Sequence, residues 1–274
     1  MNPSQYQKQI EHYREKGLHL DERIDRVDVG GYYGMLTNSP ISKGEIVASI
    51  PHSCLLKTSP TSQYPADMPK DIQYIHAATN EYQKGSSSDF KFMFSPFETL
   101  EELKRVSTYY YSDEDLSLLK RASASLHNTI LDIKNATQYR VDQILNFDAT
   151  IEKDSALFIA LNHLSRAWGD IGFVPVIDLF NHSDEKGIEI RTIDGSSCLI
   201  AGHDYQDGDE VYGTYGKKDL NLHAVGFNYF DASNEHYINY GSRIHQLAKS
   251  PFDKQVFKLT LEKHSLRYFE QNGQ

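Results

Sequence analysis

The sequence changes its hydrophobic period twice, and that order limits the fold more than any single motif does. Residues 23–51, RIDRVDVGGYYGMLTNSPISKGEIVASIP, are short β-type runs joined by a glycine-rich turn at 30–34 and a Lys43-Gly44 turn. From about residue 62 the period becomes helical. SDEDLSLLKRASASLHNTILDIKNATQYRVDQIL (112–145) is a strong helical stretch, apolar at Leu116, Leu119, Ile130, Ile133 and Val141, with Ser112 and Asp115 spaced as a capping box. SALFIALNHLSRAWG (155–169) predicts another helix, ended by Gly169. Strand signals then return. IEIRTI-DG-SSCLIAG (188–202) reads as an Asp-Gly hairpin, and HDYQDGDEVYGTYG (203–216) carries a second Asp-Gly turn leading into EVYGTY. A first helix precedes the series, with Ser4 as its cap, Tyr6, Ile10 and Tyr13 at helical spacing, and Gly17 as its stop. The order predicts an α+β protein in which a helical insert splits a β fold.

Composition excludes several classes. With 39% hydrophobic and 24% charged residues the chain reads as an ordinary soluble protein. A formal net charge of −10 argues against nucleic-acid binding through a basic surface and favours a basic partner or none. Cys54 and Cys198 stand alone, with no ligand spacing around them, so no zinc site is expected and a reducing compartment fits. The polar start, MNPSQYQKQIEHYREKG, lacks the apolar core of a signal peptide, and no apolar run approaches ~18 residues. An intracellular protein, cytoplasmic or nuclear, is the expectation.

The stretch PVIDLFNHSDEKG (175–187) places Asp178 inside an apolar run, where an acid costs several kcal/mol unless something pairs with it. The run then breaks into Asn181-His182-Ser183. GGYYG (30–34) can bring backbone close to a ligand, but it lacks G-x-G-x-x-G spacing, and alone it reads as a tight turn. DYQDGDE (204–210) fails the spacing of a calcium loop and reads as a hairpin turn. His163 reads as an ordinary helix residue, Ser165-Arg166 as a solvated turn of helix, and Tyr212 and Tyr215 as good strand formers.

In sequence order, VDVGGYYGMLTNSPISKGEIVASIP, LSRAW, FVPVIDLFNHS and DGDEVYGTYG…AVGF resemble the SET-domain methyltransferases. The resemblance is to the branch typified by the Rubisco large-subunit lysine methyltransferase, which also includes the actin histidine methyltransferase. It implies small β-sheets with a C-terminal pseudoknot, split by a helical insert. On that reading residues 1–61 are the N-terminal helix and first part of the core, and 62–170 the insert. Residues 171–230 are the C-terminal core with its pseudoknot, and 231–274 a short C-terminal segment.

The resemblance further implies S-adenosylmethionine as methyl donor, contacted by Asn181, His182 and the loop residues Gly31, Tyr32 and Tyr33. Arg166 and Asp178 would line the target side-chain channel, and Tyr215 matches the catalytic tyrosine, which also borders the donor. Trp168 stands where lysine-modifying relatives carry an aromatic residue. The implied activity is protein-lysine N-methylation of a substrate with a basic or lysine-bearing segment, with no metal and no membrane partner. Histidine methylation and a catalytically silent SET-fold binding module are the rival readings.

Overall fold

EIVASIP forms the strand on which the main sheet is built. This strand is β4, Ile46–Pro51; Val47, Ala48 and Ile50 on it are buried. In the computed structural model, which describes residues 3–29, 33–56, 64–168, 171–183, 187–214, 229–230 and 267–268, three elements precede it. They are helix α1 (Pro3–Glu15), strand β1 (His19–Leu20) and a hairpin of β2 (Ile24–Asp28) with β3 (Tyr33–Thr37). β4 pairs antiparallel with β1 on one side. On the other it pairs with β8 (Ser196–Ile200), which itself pairs with β7 (Glu189–Ile193). The sheet order β1-β4-β8-β7 therefore closes the first β-rich half of the sequence onto the last.

Several local predictions have a direct physical counterpart. Asp194 and Gly195 have φ of +48° and +74°, so both central residues of the β7–β8 turn are left-handed, as a type I′ hairpin requires. Gly17 has φ +94°, and the bonds Leu18 N–H to Tyr13 C=O (2.9 Å) and Gly17 N–H to Arg14 C=O (2.9 Å) close a Schellman motif at the end of α1. At the other end, Pro3 occupies the first turn, so Ser4 lies inside α1 and is not its cap.

The chain divides into two units, Met1–Phe97 with Arg166–Lys217, and Glu98–Ser165 with Lys218–Gln274. The first also contains α2 (Lys70–Gln83), and a two-residue pair of β5 (Ala167–Trp168) with β6 (Gly172–Phe173). The second contains α3 (Leu100–Val106), α4 (Asp113–Ala122), α5 (Ala124–Phe147), α6 (Lys153–Arg166) up to Ser165, and a short parallel pair of β9 (Tyr229–Phe230) with β10 (Arg267–Tyr268).

The capping box of Ser112 and Asp115 opens α4. The helical stretch 112–145 is, however, two helices. Ser123 is extended (φ −154°, ψ 101°), ends α4, and accepts a hydrogen bond from the Leu126 N–H as the cap of α5. The apolar period runs on across the break, so only the capping chemistry marks it. Likewise α6 ends at Arg166, ahead of the expected stop at Gly169, because Ala167 and Trp168 turn extended to pair with β6. α6 is buried from Ser155 to Asn162 on all faces, which fits a core helix better than a surface one. No described helix is long and apolar enough to cross a membrane.

One close approach locks α2 to β6. The Tyr74 hydroxyl, on α2, accepts the Phe173 N–H at 2.5 Å, and Gly172 has φ +88° directly beneath that ring. A Cβ at Gly172 would lie 2.1 Å from the ring. Gly172→Ala should therefore combine left-handed strain of about 1–3 kcal/mol with overpacking of about 1–3 kcal/mol. Urea unfolding should show a loss of several kcal/mol; a loss under ~1 kcal/mol would mean the Tyr74 ring is free to move.

Candidate functional site

The site is built where three distant segments meet in the first unit. Residues 209–213 lie between β3 on one side and residues 181–183 and 187–188 on the other. Thr37 N–H reaches Asp209 C=O (2.9 Å) and Val211 N–H reaches Met35 C=O (2.8 Å), an antiparallel arrangement. Gly213 N–H donates to Asn181 C=O (2.7 Å), Ser183 N–H to Gly213 C=O (3.0 Å) and Ile188 N–H to Tyr212 C=O (2.7 Å), a parallel one. Met35 and Val211 are fully buried, so this seam belongs to the core. His182 is half-buried and bridges Gly213 through its backbone.

Asn181 fastens the seam with its side chain. Its Nδ2 donates to the Tyr33 carbonyl (2.9 Å) and to Glu210 Oε1 (2.6 Å). Both partners are acceptors, so the amide orientation is fixed and both N–H groups are spent, with Oδ1 facing no partner among the described residues. Gly34 makes room for this. A Cβ there would sit 2.8 Å from Glu210 Oε1 and 2.9 Å from Leu36 Cδ1.

Asp178 lies in a single 3-10 turn, Ile177–Leu179, introduced by Val176. Val176 is fully buried with φ +75°, a costly conformation for a β-branched residue that only a tightly specified surrounding sustains. The Asp178 side chain is 6% exposed and accepts a 3.2 Å hydrogen bond from Arg166 Nη1. Arg166, the last residue of α6, also lies with its guanidinium 5.4 Å from the Phe97 ring centroid. This answers the cost of an acid in an apolar run: it has a cation. Burial pushes the Asp178 carboxyl above the usual carboxylate range, while Arg166 and then Arg26 pull it back.

Arg26 was not among the residues singled out in the sequence. It lies on β2, its guanidinium 4.9 Å from the Tyr33 ring centroid, and it feels the charges of both Asp178 and Arg166. Its Nε and Nη1 are shielded from solvent and have no hydrogen-bond partner among the described residues. The alternation of RIDRVD carries the signal: Arg26 shares a face with Ile24, which is buried. The Tyr13 hydroxyl, from α1, is also buried with no partner among the described residues; burial raises its pKa most, with Cys54 and then Asp178 adding to it.

The structure thus brings Tyr33 and Asn181 into direct contact, joins Arg166 to Asp178, and places Trp168 half-buried on β5. Gly31, Tyr32 and Tyr215 lie outside the described residues. Among the described residues no cluster of three His, Cys, Asp or Glu side chains is placed to hold a metal ion.

A family model described as "SET domain" matches residues 32–216, more than half of the chain, and the chain belongs to that family. Among solved structures it is similar to Rubisco LSMT bound to AdoMet (TM-score 0.69, 18% identity), covering 85% of this chain and 57% of that one. It is similar also to the SET domain of LSMT bound to lysine and AdoHcy (TM-score 0.68, 17% identity, 85% and 58% covered). A third is Rubisco LSMT bound to sinefungin and monomethyllysine (TM-score 0.70, 18% identity, 86% and 58% covered). The chain therefore spans less than two thirds of the length of these structures, and the likeness is one of fold. No curated protein matches it significantly in sequence.

The raised pKa of Asp178 has a sign that can be measured. A carboxyl whose folded pKa exceeds its unfolded one contributes stability that is present at low pH and is lost as pH rises through the folded value. Comparing the protein with Asp178→Asn cancels the other titrating groups. From pH ~7 to pH ~5 the unmodified protein should gain stability relative to the variant in urea unfolding. A difference that is flat, or that shrinks on acidification, would show that Arg166 outweighs burial.

Proposed function

We propose that the protein is an S-adenosylmethionine-dependent protein-lysine N-methyltransferase. One observation carries the reading: Tyr33, Asn181 and Glu210 clasp each other beside the buried Arg166–Asp178 pair, on a fold shared with structures described as bound to AdoMet, AdoHcy and lysine. The residues suit a cationic donor. The carboxylate of Glu210, the open Oδ1 of Asn181 and the carbonyl of Tyr33 are all acceptors, which match a ligand ammonium or sulfonium. Asn181 would therefore meet the donor through Oδ1 and its backbone. His182, Gly31 and Tyr32 keep their roles beside it within this proposal.

When bound, S-adenosylmethionine would supply a methyl group on a sulfonium sulfur, which an amine can take in one in-line displacement. The chain's part is positioning. Trp168, half-buried on β5, would wall with Tyr215 an aromatic channel that attracts an incoming lysine as a cation and favours its neutral form once it is desolvated. Asp178 and Arg166, rigidly paired, would form the polar end of that wall. The Tyr215 hydroxyl would grip the methyl group through weak C–H···O contact. The protein substrate would present a basic segment, complementary to the net charge of −10. An intracellular setting goes with the proposal, since Cys54 and Cys198 are buried free thiols.

Incubating the protein with labelled donor and a panel of protein substrates tests this directly. Mass spectrometry should find ε-N-methyllysine, and methyl groups on histidine alone would overturn the lysine assignment. Tyr215→Phe keeps the ring and deletes one hydroxyl. Turnover should fall by ~10²-fold or more with donor affinity little changed. Near-normal turnover in that variant would remove Tyr215 from the chemistry.

A further inference from the structure

The β5–β6 hairpin is too small to hold itself in place. It has two residue pairs, Ala167 with Phe173 and Trp168 with Gly172, and an isolated hairpin is marginal in water. Trp168 is only half-buried, so burial of its indole does not fix it either. What holds the hairpin lies on α2. The hydroxyl of the buried Tyr74 accepts the Phe173 N–H at 2.5 Å, and the rings of Tyr74 and Phe173 meet edge to face with centroids 5.6 Å apart. Gly172, the cross-strand partner of Trp168, lies directly against the Tyr74 ring, where a Cβ would come within 2.1 Å. The backbone of β6 therefore rests flat on Tyr74, held by a bond at Phe173 and by ring contact at Gly172.

The same aromatic cluster reaches a second residue of the proposed channel. The Phe173 ring packs edge to face on Phe97 with centroids 4.8 Å apart, and the Arg166 guanidinium lies 5.4 Å from the Phe97 centroid. Arg166 and Trp168 flank Ala167, so both are tied to β6, one through Phe97 and the other through Gly172. From this geometry we infer that Tyr74 is a positioning residue for substrate recognition. Acting through β6, it sets where Trp168 stands and thereby the width of the channel that takes the target side chain. The inference rests on the lysine-channel reading given under Proposed function. Loss of this support costs alignment of the incoming amine and leaves donor binding in place, because an amine displaced by a fraction of an ångström is no longer in line with the methyl group.

Trp168 is the only tryptophan in the chain, so tryptophan fluorescence reads the position of this one indole. Tyr74→Leu removes the ring and the hydroxyl, and Tyr74→Phe removes the hydroxyl alone. In both variants the emission should shift to the red and quenching by acrylamide should increase, more in Tyr74→Leu than in Tyr74→Phe. For the lysine-bearing protein that the substrate panel identifies, kcat/KM should fall by ~10-fold or more in Tyr74→Leu and by less in Tyr74→Phe, while calorimetric binding of S-adenosylhomocysteine stays within ~2-fold. Should Tyr74→Leu not fold, the same readings on Tyr74→Phe decide. Unchanged emission in the folded variant would overturn the inference, as would altered emission with unchanged kcat/KM. A matching loss of S-adenosylhomocysteine binding would make Tyr74 a general support of the fold and overturn it too. An unmodified, folded protein that methylates no lysine would instead overturn the lysine reading itself, and this inference with it, whatever the emission shows.

Discussion

The backbone around the buried Val211 and Gly213 can lie in the core only if both of its edges are satisfied, and everything at the site depends on that. A backbone segment in the core must place every N–H and C=O. β3 takes one edge and residues 181–183 and 187–188 take the other, so pieces of chain apart in sequence have to be assembled together. The side chain of Asn181 then ties them with one amide, bonding Tyr33 from the first piece and Glu210 from the last. Such a junction contributes little until it is complete, because its contacts are almost all long-range.

The same assembly explains how Asp178 can be kept where it is. An apolar run delivers it into the core, and a positive φ at the buried Val176 turns the chain so that a single 3-10 turn presents it. Strain of this kind persists where the surroundings over-determine it. Here the seam follows immediately, with Asn181 and Ser183 already bonded to Gly213. Arg166 arrives from the other direction, at the point where α6 stops and β5 begins. The early end of that helix is thus tied to the site: Ala167 and Trp168 pair with β6, so Arg166 becomes a helix-terminal residue facing Asp178.

What could be read from the sequence was whatever local chemistry determines. Asp194-Gly195, Gly17 and the Ser112–Asp115 box each act within a few residues, and each appears as expected. The strand–helix–strand order and the SET fold were likewise legible, because period and motif order survive without coordinates. The break at Ser123 was not, since a hydrophobic period continues through it and only one hydroxyl bond distinguishes a cap from a helix interior. Asn181 and Asp178 stood out by type and company. Their partners Glu210 and Arg26 did not, because a partner is defined by a fold-dependent distance and not by its own neighbours in the chain.

Arg26 illustrates how net charge and local charge part company. A chain with a formal charge of −10 reads as an acidic surface, and acidic surfaces favour basic partners. Yet among the described residues two guanidinia, Arg166 and Arg26, act on the one carboxylate of Asp178, which is largely shielded from bulk water, and charges so shielded are screened least. The formal charge summed over the chain therefore says little about the sign of the charge at a buried cluster, which only the folded arrangement sets.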